Sequence, residues 1–356
     1  MARFRPRKDY AMTATRLALH LPAWLGLLAM AGLLWNLANR RVPNPWEFVA
    51  VVSICVLGGA GLLGYGLVRG RTLPRLLSAT CVLIGIFTIG TVAVFVMMVL
   101  TNEDAGVPVF GRADKPTAAV TRLRLFNLNV DHGYPSLASH ENRYAETRDE
   151  IRRLDADLIV LQEVWNTQEH RNLARRLSDE LGYQFAYARA NGSIDRIGFE
   201  EGSAVLSRFP IVEARRMCLK PRRPWWETRI ALIVRIDLGT EAITIAGVHL
   251  SNSESANDQA EFLLEDSRTW PDLIAGDFNA EPTSRAVREF DARGFVELMP
   301  KKNSPLPWID HVFLAPAFAN RWEVTDASWI LATEPVIGVR SAISDHNGIL
   351  VELRRR

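Results

Sequence analysis

Cysteine is scarce in this sequence. Cys55 and Cys81 lie in apolar runs, and Cys218 stands alone in the C-terminal two thirds. A disulfide framework within that larger part is excluded, and so is a cysteine-based metal site there. Charge is missing from two long stretches: residues 48–68 and 76–100 carry no Asp, Glu, Lys or Arg. In residues 17–38 the only strongly polar side chains are His20 and Asn36, both near the ends. There is no internal repeat and no low-complexity segment.

Each of the three apolar runs is long enough to cross about 30 Å of hydrocarbon as a helix. Core helices of soluble proteins seldom run so long without a polar face. Residues 1–100 are therefore predicted to be a transmembrane region with helices at about 17–38, 48–68 and 76–100. The first is expected to be retained, because its apolar run continues past Ala31 to Leu37, longer than a signal-peptide core. Basic residues set the orientation. Arg3, Arg5, Arg7, Lys8 and Arg16 precede the first span, and Arg69, Arg71 and Arg75 follow the second, whereas the first connection holds only Arg40 and Arg41. Placing the richer segments inside puts the chain after span three outside. The expected location is the cell membrane, multi-pass, with the larger domain extracytoplasmic.

Residues 101–120, with Gly, Pro and mixed charge, read as a linker. Residues 1–120 hold 12 Lys/Arg against 5 Asp/Glu, a net of +7, and residues 121–356 hold 30 against 35, a net of −5. The basic balance of the whole chain thus belongs to its membrane end. The mild acidity of the remainder argues against a broad phosphate-backbone surface for nucleic acid.

Residues 121–356 alternate strand-like and helix-like pieces. Helices are predicted at 143–154, 170–181 and near 256–268. Strands are predicted at 123–130, 157–164, 202–211, 229–238, 241–250, 308–314 and 344–353. Several strands end in a carboxylate, an amide or a histidine: Asn127, Glu163, His249, Asp277 with Asn279, Asp310, and Asp345 with His346. Polar ends carried on a rigid sheet are how one site is assembled from distant sequence. In "IAGDFNAEP" (274–282), Asp277 and Asn279 share a face because the side-chain period of a strand is two. The same holds for Asn127 and Asn129, while His311, next to Asp310, must face away and reads as structural.

The ordered motifs "LFNLN", "LQEV", "VHL", "AGDFN", "IDHVFL" and "ISDH" resemble those of the endonuclease/exonuclease/phosphatase superfamily, and the resemblance covers essentially all of 121–356. The implied fold is α/β, a four-layer sandwich of two mixed sheets with helices outside. The implied activity is metal-dependent hydrolysis of a phosphoric ester or pyrophosphate by in-line attack of a water. By the same resemblance, Mg2+ or Mn2+ would be held by Glu163, with Asn127 and Asp345 contributing. Asp277 would orient or deprotonate the water, and Asn279 would hydrogen-bond it or the phosphate. His249 would bind a phosphate oxygen. His346, partnered by Asp310, would stabilise the pentavalent phosphorus or act as acid.

Three spans followed by an outward-facing catalytic domain resemble a bacterial membrane subgroup that includes the teicoplanin-resistance membrane phosphatases. That resemblance implies a lipid-linked phosphate or pyrophosphate as substrate and the bilayer as partner. A membrane-anchored nuclease is the less favoured alternative, and a sphingomyelinase-like phospholipase C is a second. The segment 215–229 packs Lys/Arg around Trp225 and Trp226, a composition that suits a membrane interface or a solvated basic loop.

Overall fold

The structure is a computed structural model that describes residues 105–131, 140–221, 228–265, 270–300, 308–330 and 344–356, with scattered positions between 60 and 90. The chain divides into two compact units, Met1–Met98 and Val99–Arg356. In the first unit the described residues are helical. Thr88 there donates its hydroxyl to the Ile84 carbonyl at 2.8 Å. The predicted span 17–38 lies outside the described residues, as do most of 48–68 and 76–100. No helix among the described residues is long and apolar enough to cross a membrane.

The second unit is built from fifteen strands among the described residues. In chain order they are β1 (Ala105–Gly106), β2 (Val109–Phe110), β3 (Arg122–Asn129), β4 (Leu158–Thr167), β5 (Arg171–Asn172), β6 (Gln184–Ser193), β7 (Phe199–Ser207), β8 (Ile211–Cys218), β9 (Ile230–Asp237), β10 (Ala242–His249), β11 (Leu273–Asp277), β12 (Val296–Glu297), β13 (Asp310–Leu314), β14 (Trp322–Ile330) and β15 (Gly348–Arg355). The helices are α1 (His140–Leu154), α2 (Leu173–Leu181), α3 (Ile194–Ile197), α4 (Ser255–Leu263), α5 (Arg285–Ala292) and α6 (Pro316–Ala319).

One sheet runs β1-β8-β9-β10-β11-β13-β12, and the other runs β14-β15-β3-β4-β7-β6-β2 with β5 beside β4. Both are mixed: β10 and β11 pair in parallel, as do β3 and β4, among antiparallel neighbours. The fold is thus α/β with two mixed sheets. Both faces of β4 are buried, which explains its unbroken apolar start "LIVL". Leu158 and Val160 join the core between the sheets, which Ile230, Leu232 and Ile245 line from the other sheet. Contact is close enough that a Cβ on Gly247 of β10 would lie 2.9 Å from Val160 Cγ1. The opposite face of β4 is covered by α2, which starts on the Asn172 side chain and stops at Gly182 in the left-handed region.

Several stretches depart from the sequence reading; β6 and β14 were not predicted as strands. The expected strand 202–211 is broken at Arg208–Pro210 into β7 and β8, which lie in different sheets. Proline lacks the donor a continuous ladder would need. Within the expected linker, β1 pairs β8 at one sheet edge, and β2 pairs β6 at an edge of the other. Val107 N donates to Ala214 O at 2.9 Å between them, and Phe110 stacks on Phe185. The chain therefore caps an edge of each sheet before the first long strand begins.

Candidate active site

Register assembles the site. In the parallel pair β10–β11, His249 stands opposite Asp277, and in the antiparallel pair β11–β13, Asp277 stands opposite Asp310. Three chemically active side chains so reach one level of adjacent strands, and all three are buried. The chain then turns sharply. Asp277 Oδ1 accepts from Asn279 N at 2.7 Å, Asn279 adopts φ +47°, and its Nδ2 donates to Leu250 O at 3.0 Å. Asn tolerates that backbone region better than most residues. Gly276 is fixed for a different reason: a Cβ there would sit 1.9 Å from Val248 O.

The facing sheet supplies the rest. Register between β4 and β7 shifts between Leu161 and Val164, and Glu163 within this bulge has φ +54°. Bulges re-aim side chains in this way, at a backbone cost of order 1–3 kcal/mol for a residue other than glycine. Asn129 Nδ2 donates both to Glu163 Oε1 at 3.1 Å and to Asp277 Oδ2 at 2.9 Å. One amide therefore ties a carboxylate of each sheet together. The sequence reading placed Asn127 near metal and phosphate; the contacts to the two carboxylates come from Asn129, two residues on along the same face. Asn127 is fully buried one step deeper, with Oδ1 accepting from Gln162 Nε2 at 3.0 Å.

His346 Nδ1 lies 2.7 Å from Asp310 Oδ2, and its Nε2 lies 3.8 Å from Asp277 Oδ2 and 3.9 Å from Asp345 Oδ1. Ser344 locks this segment down: its hydroxyl donates to Asn129 O at 2.5 Å and accepts from His346 N at 3.0 Å. Burial works against a charged His346, but attraction to and hydrogen bonding with Asp310, then Asp277 and Asp345, outweigh it and push its pKa up to about 11. Asp277 moves the other way from a usual carboxylate. Burial first and repulsion from Asp310 second raise it to about 7, against the opposing pull of His346. Asp310→Asn should therefore bring the titration of His346 down by more than a unit in chelated protein, as read by NMR of the imidazole. A His346 titration unmoved by that change would mean that Asp310 does not set its charge.

His249 Nε2 is 3.4 Å from Asp277 Oδ2 and 3.8 Å from Glu163 Oε1. Arg229 Nη1 lies 2.9 Å from its Nδ1 and 2.8 Å from its Nε2. This buried guanidinium was not singled out from the sequence, where it closes the basic segment 215–229. Its position at the start of an apolar strand was the available signal. Residues 215–218 of that segment belong to β8, and Trp225 and Trp226 lie outside the described residues. Asp345 is exposed at the rim. His311 bonds Glu297 at 2.6 Å and Ala280 O at 2.8 Å, away from the site.

The side chains suit a hard divalent cation. Two groups, Glu163–His249–Asp277 and Asp277–Asp310–His346, share Asp277, and each converges within 4.8 Å. Carboxylate and amide oxygens are the donors such a cation takes. Asp310 Oδ1 and Asn127 Nδ2 are buried without a hydrogen-bond partner. Turning the Asn127 and Gln162 amides over together keeps their bond and exposes Asn127 Oδ1 instead. One orientation serves a phosphate oxygen, the other a cation.

Residues 126–346 match the Endonuclease/Exonuclease/phosphatase family. The chain belongs to that family. Its members are phosphoester hydrolases or nucleases that generally use a divalent metal. An uncharacterized protein, YbhP of Escherichia coli strain K12, is 30% identical over 176 residues, 44% of this chain and 66% of that protein. The match thus spans just under two thirds of the curated relative. The endonuclease/exonuclease/phosphatase structure from Beutenbergia cavernae has TM-score 0.52 at 22% identity, over 66% of this chain and 72% of that one. The human Nocturnin catalytic domain with bound sulfate has TM-score 0.52 at 18% identity, over 70% of this chain and 97% of that one. At these identities the likeness is one of fold.

Proposed function

We propose that this family member is a membrane-anchored phosphohydrolase that cleaves a lipid-linked phosphate ester or pyrophosphate outside the cytoplasm, close to the teicoplanin-resistance membrane phosphatases. The observation that carries the hydrolase reading is the meeting of Asp277, bridged by Asn129 to Glu163, with the Asp310–His346 pair. A group with a pKa of about 7 is well placed to take a proton from water near neutral pH. Asp277 Oδ2 receives that proton as the water oxygen bonds to phosphorus and the bond from phosphorus to the leaving oxygen breaks. His346, held charged by Asp310, faces the opposite need: it donates to or stabilises the oxygen that departs. Asn279 and His249 hold phosphate oxygens, and Arg229 lends positive charge behind His249. Glu163 and Asp345, with an Asn127 oxygen, would hold Mg2+ or Mn2+, which supplies charge neutralisation on the phosphate.

The lipid part of this reading is supported by the three charge-free or nearly charge-free runs upstream and by the mild acidity of residues 121–356. A substrate confined to the same membrane surface would be met at high effective concentration. Two measurements test it. Full-length protein with Mg2+ in detergent is given a lipid pyrophosphate, a phosphodiester lipid and DNA in parallel, and turnover of the lipid pyrophosphate is expected. A reporter fused after Arg356 should behave as extracytoplasmic and one after Arg71 as cytoplasmic. Cleavage of DNA alone would replace the reading with that of an anchored nuclease, and a cytoplasmic C-terminal reporter would overturn the topology.

A further inference from the structure

Two tryptophans stand beside this chemistry without a part in it. Trp308 precedes Asp310 by two residues, and Trp329 lies at the end of β14. Register brings Trp329 to the site. It pairs with Ile349 of β15, and Ile349 pairs with Asn127 of β3. Directly paired residues point to the same face of a sheet, so Trp329, Ile349 and Asn127 form one row. Ile349 belongs to the core between the sheets and Trp329 packs against it, which makes this the inner face. The Trp308 indole, on the approach to β13 of the other sheet, meets Trp329 with ring centroids 6.2 Å apart and planes inclined by 59°. The two rings thus bridge the sheets at the end of the row that runs through Ile349 to Asn127, with Trp308 two residues before Asp310 in the chain. The Nε1–H of each is buried and has no acceptor. Buried donors in native proteins are nearly always matched, and two unmatched ones side by side ask for an oxygen the free protein does not provide.

We propose that Trp308 and Trp329 form the wall that receives the organic part of the substrate, and that this part is a flexible apolar chain joined directly to the phosphate. The inference rests on the phosphohydrolase reading above and specifies its substrate class. Ring geometry favours a chain over a nucleobase. A base held between two aromatics needs roughly parallel faces, whereas rings inclined by 59° make an open corner. Indole has an apolar body and a single polar tip, so the faces cover methylenes while the Nε1–H groups reach oxygens where the chain meets the phosphate.

The test uses full-length protein in detergent with Mg2+, and compares farnesyl diphosphate with ethyl diphosphate. Trp308→Ala and Trp329→Ala should each raise KM for farnesyl diphosphate by about tenfold, the scale of losing part of an apolar subsite. For ethyl diphosphate, which keeps the phosphate oxygens but lacks the chain, their kcat/KM should fall by a clearly smaller factor. Trp308→Phe keeps a ring and removes the N–H, so it should retain most of the chain-length preference. Circular dichroism checks that each variant is folded. Equal loss on both substrates, or no loss on either, overturns the wall, while wild-type turnover of farnesyl diphosphate leaves the hydrolase reading in place. A wild type that turns over neither diphosphate and cleaves single-stranded DNA overturns both.

Discussion

Asp277→Ala is expected to lower hydrolysis by roughly 10²–10⁴-fold, the range that a positioned general base supplies. Asp277 is 1% exposed, and the substitution leaves the Asn129 amide without one of its two carboxylates. The fold should survive, because Asp277 is a costly residue in the free protein. Burial and the neighbouring Asp310 raise its pKa from 3.8 to about 7. A native carboxyl that keeps a proton which the unfolded chain releases makes stability fall as pH rises between those two values. His346 has the same sign in the next window: the stability it contributes is fully present below 6.5 and is lost as pH rises through about 11. Asp277→Asn removes the first slope. In chelator at pH 8 it should melt above the wild type while remaining inactive. Full activity in Asp277→Ala would refute the role given to this carboxylate, and a lower melting temperature for Asp277→Asn would mean that the charged form holds the site together.

Removal of divalent metal is the second large effect. Chelator should abolish hydrolysis, and Mg2+ or Mn2+ should restore it. The reasoning is electrostatic. Glu163, Asp277 and Asp310 bring three carboxyls to one buried place, and the cations facing them, His346 and the Arg229–His249 pair, sit on its flanks. An anionic phosphate entering this place needs further positive charge. Glu163→Gln should therefore demand a higher metal concentration for half-maximal rate. Hydrolysis that persists undiminished after exhaustive chelation would show that the protein's own cations suffice.

Much of the site was legible because its pieces are local. "GDFN" puts Asp277 at the end of β11, "QE" puts Glu163 within β4, "SDH" lies just before β15, and the apolar runs beside them read as buried strands. What could not be read depends on pairing between distant strands. Asn127 and Asn129 are equivalent by periodicity, and only the approach of the facing sheet sets Asn129 against Asp277. The bulge at Glu163 is a backbone event with no residue such as glycine to announce it. β6 ("QFAYARANGS") and β14 ("WEVTDASWI") lack a sustained apolar run, so neither was predicted, although β6 pairs with β7 and β14 with β15 along their lengths. Arg229 looked like one more surface cation in a basic stretch until β9 took it inside.

Within the four letters of "GDFN", the glycine and the aspartate answer to different pressures. Gly276 is held by the Val248 carbonyl 1.9 Å from where its Cβ would be, and that constraint comes from how β10 lies against β11. Asp277, in the role proposed for it, is held by the reaction. A descendant that lost catalysis would be free to change the aspartate yet would still be bound to the glycine for as long as it folded. Searches for living enzymes of this kind should score the second letter, because the first will also retrieve the pseudoenzymes.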